Sequence, residues 1–237
     1  MKARPSSYKY NDKIQRMSSR NIPFVNDEYY HIFNRGVDKR IVFSTNEQQE
    51  FFIRRLIMLN SSDCRRNISN QRCLSKDKVI MGDGRELVSI VAYCLLPNHF
   101  HLLLKQREDN GISQFMQRVG TSYSMFFNKE ENRTGSLFQG KFKATQLVGD
   151  LVLPILSAYV NLNHKHHHID PNKHLVKSSF NEYCREQPCE SICEVNEIDK
   201  ILDEVGGLSA YKAFAKQCSM AFALNKNTEL TSKDFEF

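Results

Sequence analysis

The sequence predicts an α+β fold, a ferredoxin-like antiparallel sheet in the order βαββαβ with an added helix and a helical C-terminal extension. Three observations predict it. An apolar, partly β-branched run from Leu87 to Leu96 meets Pro97-Asn98 and resumes at His99 to Lys105, which reads as a hairpin. Two helical patterns flank that hairpin. One further strand stands before the first helix and one after the second.

The elements follow in order. Tyr29 to Phe33 is aromatic and β-prone, and Arg35-Gly36 turns the chain out of it. Phe51, Phe52, Leu56 and Leu59 recur at helical spacing in Asn46 to Leu59, with Ser44, Thr45 and Asn46 as N-cap candidates. Residues 60–85, rich in Ser, Asn, Asp, Lys and Arg, read as a long loop. The hairpin comes next. Ile112, Phe115, Met116, Val119, Tyr123, Phe126 and Phe127 make Gly111 to Asn128 an amphipathic helix. Thr134-Gly135 is a turn, and Ser136 to Val148 reads as extended. Leu151 to His164 is a helix with Pro154 in its first turn, where its missing N–H is harmless.

Composition sets the class. The 237 residues are 41% hydrophobic and 25% charged, an ordinary globular balance. No apolar run approaches the ~20 residues that span a bilayer, and the polar first twenty residues lack the apolar stretch of a secretory signal. A cytoplasmic location without membrane contact is therefore expected. Seven cysteines are an odd number for a disulfide framework. Cys184, Cys189 and Cys193 have no familiar zinc spacing and read as free thiols. The net charge of +6 is uneven. From Ser178 onward there are 6 Lys/Arg against 11 Asp/Glu, and before it 27 against 16. The basic part is where a polyanion would bind. The expected divisions are a flexible basic arm at 1–26, a catalytic domain at 27–170, and an acidic, mainly helical extension at 171–237.

Chemistry concentrates at His99-Phe100-His101. Strand side chains alternate, so the two imidazoles share a face while Phe100 points away. Two neutral imidazoles form half a divalent-metal site. Alone, such a pair is a weak signal. The later helix offers a third ligand and a reacting group: Tyr159 and Asn163, four residues apart, are ~40° apart around a helix. A His/His/Asn set with waters suits Mg²⁺ or Mn²⁺ better than a closed zinc site. Tyr123 is a competing nucleophile on the earlier helix, but its fourth successor is Phe127, which binds no metal. Arg35, Lys39, Arg40, Lys141 and Lys143 are candidate phosphate contacts, and Phe138 and Phe142 candidate stacking rings for unpaired bases. Each is as readily a solvated charge or a core ring. A metallohydrolase is poorly supported, since no Asp or Glu at ligand spacing accompanies the pair.

Four stretches in order carry a family resemblance. They are Tyr30-His31-Ile32-Phe33-Asn34-Arg35-Gly36, Leu96-Pro97-Asn98-His99-Phe100-His101-Leu102-Leu103, Gly135-Ser136-Leu137-Phe138-Gln139-Gly140-Lys141-Phe142-Lys143 and Tyr159-Val160-Asn161-Leu162-Asn163. Together they resemble the single-tyrosine HUH transposases, the insertion-sequence 200-like group, and within it the REP-associated tyrosine transposases. The resemblance covers roughly 28–165 and continues more weakly to about Ala215. It implies a ferredoxin-like fold that cleaves and rejoins single-stranded or hairpin DNA through a 5′-phosphotyrosine, assisted by a divalent metal. It puts the metal-ligating histidines on His99 and His101, the nucleophile on Tyr159 and the third ligand on Asn163. Related enzymes include monomers and dimers, so a homodimer is one expected form. A catalytically idle DNA-binding descendant, a hairpin binder or repressor, is the alternative. The chain departs from the family after Asn163, where His164-Lys165-His166-His167-His168 replaces a Pro and a short basic turn.

Overall fold

The computed structural model describes residues 23–63, 84–149, 152–185 and 191–226. Nearly all of the basic arm, and Cys189, lie outside these residues. The strands are β1 Tyr29–Arg35, β2 Val88–Leu96, β3 His99–Gln106, β4 Lys143–Gln146 and β5 Lys177–Ser178. The helices are α1 Asn46–Met58, α2 Gly111–Glu130, α3 Val152–Asn161, α4 Asn163–His166, α5 Phe180–Cys184, α6 Val195–Glu204 and α7 Leu208–Lys226. All strands join one antiparallel sheet in the order β4-β1-β3-β2-β5. The first four reproduce the order that a βαββαβ chain gives. The two-residue β5 adds to the free edge of β2, opposite Cys94 and Leu95.

Helices cover both faces, and each strand divides its side chains between them. On one face Tyr30, Ile32, Phe100, Leu102 and Leu104 pack beneath α1 and α2, with Phe52 tilted on Phe100 at 5.1 Å between centroids. Thr45 caps α1 by accepting the Gln48 N–H, and Gln48 Oε1 accepts from the Ser44 N–H in return. Gly111 opens α2 against the backbone of Leu87; a Cβ there would stand 2.3 Å from the Leu87 carbonyl oxygen, so only glycine permits this approach. On the other face lie His31, Phe33, Arg35, His99 and His101, with α3 packed over β2 and β3 and α7 packed on α3.

Two expected elements differ in detail. Of Ser136 to Val148 only Lys143–Gln146 is strand, plus a single bridge from Gly36 to Phe138. Gly135 and Gly140 both adopt positive φ, +89° and +92°, which interrupts the pleat. The single helix expected over 151–164 divides at Leu162, whose φ of −109° and ψ of 22° leave the helical region.

A buried relay of hydrogen bonds fixes α3 to its surroundings. The Tyr93 N–H donates to Ser179 Oγ (2.9 Å), which donates to Asn161 Oδ1 (2.6 Å). Asn161 Nδ2 donates to the Tyr211 hydroxyl (3.0 Å), that hydroxyl to Ser157 Oγ (3.0 Å), and Ser157 to the Pro154 carbonyl (2.7 Å). One chain of polar groups thus links β2, α3, the turn before α5, and α7. Removing the Tyr211 hydroxyl leaves the Asn161 amide buried without an acceptor. Tyr211→Phe is expected to lower unfolding free energy by about 1–3 kcal/mol in urea titration, with little change in secondary structure by circular dichroism.

Candidate active site

The site forms on the face that α3 covers. Cross-strand register builds it in rows: Arg35 opposite His99, Phe33 opposite His101 with Lys143 on its far side, and His31 opposite Leu103 with Thr145 beyond. His31, His99 and His101 are all buried. Tyr159 on α3 stands over this row, its ring edge-on to His31 at 5.7 Å and to His101 at 6.0 Å between centroids. His166 stacks on the other side of Tyr159 at 4.9 Å, and Phe222 of α7 closes against it at 5.2 Å. Only 5% of Tyr159 is exposed.

Two contacts engage the Nδ1 atoms of His99 and His101. Asn98 Nδ2 donates to the Lys39 carbonyl, which turns Asn98 Oδ1 toward His99 Nδ1 at 2.6 Å. His99 therefore carries its proton on Nδ1 and presents Nε2 as a lone pair. The Lys39 carbonyl is placed by two successive left-handed residues, Asp38 and Lys39 (φ 54° and 58°), in the turn after β1. His101 Nδ1 lies 2.9 Å from His31 Nε2. When His101 Nδ1 donates, His101 Nε2 is the free lone pair, and that atom is buried with no hydrogen-bond partner. A buried, unsatisfied imidazole nitrogen is what a ligand atom without its ion looks like. The donor set fits a divalent metal. Asn163 is fully buried, and neither atom of its amide has a hydrogen-bond partner.

Ligand atoms of His99, His101 and His167 lie within 4.8 Å of one another. His167, and His31 behind His101, were not singled out from the sequence. His31 sits inside a quoted motif, but only the β1–β3 register reveals its partner. His167 lies in a run of histidines that reads more readily as a solvated helix end than as metal ligands.

The remaining expected residues scatter. Arg35 lies on the histidine face with its Nε buried and without a hydrogen-bond partner. Lys141 and Lys143 are exposed, the Lys143 ammonium 6.0 Å from the Phe33 ring centroid. Lys39 is exposed, and Arg40 donates to the Val37 carbonyl. Phe142 is half-buried against Phe24. Phe138 sits in the core, edge-on to Phe100 at 5.6 Å, and offers no face to solvent. Tyr123 lies on the opposite side of the sheet, packed among Phe43, Phe52 and Phe138, with its hydroxyl donating to the Val42 carbonyl. Burial pushes its phenol well up. Among the described residues, no helix is long and apolar enough to cross a membrane.

Residues 63–164 match the family model described as "Transposase IS200 like". That segment holds both β2–β3 histidines, Tyr159 and Asn163. Over that segment the chain is similar to the IS200-like transposases. The solved structures similar to the chain include a REP-associated tyrosine transposase bound to a REP hairpin. It shares 13% identity, with a TM-score of 0.48 over 75% of this chain and 91% of that one. No curated protein matches the sequence.

Burial lowers the basicity of the histidine cluster. It pushes His31 down to about 3, and burial with the neighbouring imidazoles holds His101 well below the ordinary value. The unfolded chain protonates such rings near 6.5, whereas the folded one does not. The unfolded state thus binds more protons below 6.5, and stability falls as pH drops through that window. For the metal-free protein, His31 alone is expected to remove about 1 kcal/mol between pH 7.5 and 5.5. Urea titrations at the two pH values check this, and His31→Gln should remove that share of the pH dependence.

Proposed function

We propose that this protein is a transposase that cleaves and rejoins single-stranded or hairpin DNA through a 5′-phosphotyrosine on Tyr159. The observation that supports it is the edge-on packing of Tyr159 against His31 and His101, on the same sheet face as His99. Tyr159 Oη attacks the scissile phosphorus and loses its proton to water, and the P–O3′ bond breaks to leave a 3′-hydroxyl. In rejoining, a 3′-hydroxyl attacks the same phosphorus and the tyrosine leaves. The number of phosphoester bonds is unchanged, so no ATP is needed. His99, His101 and Asn163 would hold Mg²⁺ or Mn²⁺, which when bound polarises a non-bridging phosphate oxygen. His31 and Asn98 orient the two imidazoles. Arg35, beside His99, and Lys143, beside Phe33, are positioned to meet phosphates; Lys141 extends that basic edge. Nucleophile and ligands come from one chain, so the reading requires no second copy.

One observation favours a second reading, a DNA-binding protein with an idle site: Tyr159 is nearly fully buried beneath Phe222. A cleavage assay on hairpin-bearing single-stranded DNA with Mg²⁺ or Mn²⁺ separates the two. Wild type and Tyr123→Phe are expected to form a covalent adduct, and Tyr159→Phe none. Hairpin binding without an adduct from any of the three supports the idle reading.

A further inference from the structure

We infer that His167 completes a three-imidazole site with His99 and His101, and that this site takes a transition ion (Mn²⁺, Co²⁺ or Zn²⁺) in preference to Mg²⁺. The inference rests on the histidine-pair reading above and departs from it in the third ligand, His167 in place of Asn163, and in the ion. The three rings fan around a common point: His99 meets His167 at 4.8 Å and 69°, and His101 at 5.1 Å and 79°. Their ligand atoms lie within 4.8 Å of one another. His99 and His101 both have Nδ1 engaged, by Asn98 and His31, which leaves Nε2 as the atom each ring can offer an ion. His101 Nε2 is buried with no hydrogen-bond partner.

The local chain explains how His167 arrives. The break at Leu162 starts a one-turn α4, and the His167 N–H closes it on the Asn163 carbonyl at 3.3 Å. At the end of that turn His167 packs on His99, 4.8 Å between ring centroids. No carboxylate joins this cluster among the described residues. Three neutral imidazoles are borderline nitrogen donors. They suit first-row transition ions, whereas Mg²⁺ favours oxygen ligands and keeps its waters. A three-nitrogen site also leaves the ion its full charge and open positions, which suits an anionic phosphate.

The test is ion binding to the full untagged chain, read by the visible absorption of Co²⁺ and by calorimetry with Mn²⁺, Zn²⁺ and Mg²⁺. Circular dichroism confirms folding of each variant. The expected result is Co²⁺ and Zn²⁺ bound at one equivalent, with Mg²⁺ roughly a hundredfold weaker. His167→Ala should weaken Co²⁺ about tenfold or more and alter its spectrum, while His168→Ala changes neither. His101→Ala should abolish the signal. If His101→Ala abolishes it and His167→Ala leaves affinity and spectrum intact, the third-imidazole inference is overturned and the histidine-pair reading stands. If Mg²⁺ binds as tightly as Co²⁺, the ion preference is overturned. If His101→Ala binds Co²⁺ like wild type, the underlying reading fails as well.

Discussion

The register of β1 against β3 is the constraint on which the rest depends. Pairing Phe33 with His101 and Arg35 with His99 puts His31, Arg35, His99 and His101 on one face. Because strand side chains alternate, a slip of one residue would move the β1 members of this set into the opposite core and break the His31–His101 contact. The opposite face supplies the penalty against such a slip. Tyr30, Ile32, Phe100 and Leu102 are all nearly inaccessible beneath α1 and α2, so any other register would bury His31 or Arg35 there and expose apolar rings. The hydrophobic core on one side thereby fixes the polar cluster on the other.

The second requirement is placing α3 over that face. Apolar packing of Leu153, Leu156, Ala158 and Val160 seats the helix, and the relay from Tyr93 through Ser179, Asn161 and Tyr211 to Ser157 fixes its position along the sheet. Tyr159 lies two residues from Ser157 and two from Asn161, so the same bonds that anchor the helix aim the phenol. The C-terminal α7 takes part twice, through Tyr211 in the relay and through Phe222 against Tyr159.

Much of this was legible in the sequence. The hairpin Leu87–Lys105, the amphipathic pattern of Gly111–Asn128 and the order of elements led directly to the observed strand order. That His99 and His101 share a face followed from strand alternation; their expected roles, and that of Tyr159, came only with the family resemblance. What could not be read there depends on contacts between distant segments. His31 and His101 are 70 residues apart and meet only through strand register. Phe138 reads as readily as a stacking ring as a core ring, and its bridge to Gly36 accompanies a place in the core. The break at Leu162 leaves no local mark, since neither Pro nor Gly lies near it, and it decides where the histidines of 164–168 point.

The most direct measurement is the mass of the peptide left attached to DNA after a hairpin substrate is cleaved and the protein is digested with trypsin. Residues 144–165 form one tryptic peptide containing Tyr159, and residues 119–129 another containing Tyr123. The nucleophile assignment predicts a 5′-phosphate linkage on the 144–165 peptide, located at Tyr159 by fragmentation. The same linkage on the 119–129 peptide, or on any residue other than Tyr159, contradicts it.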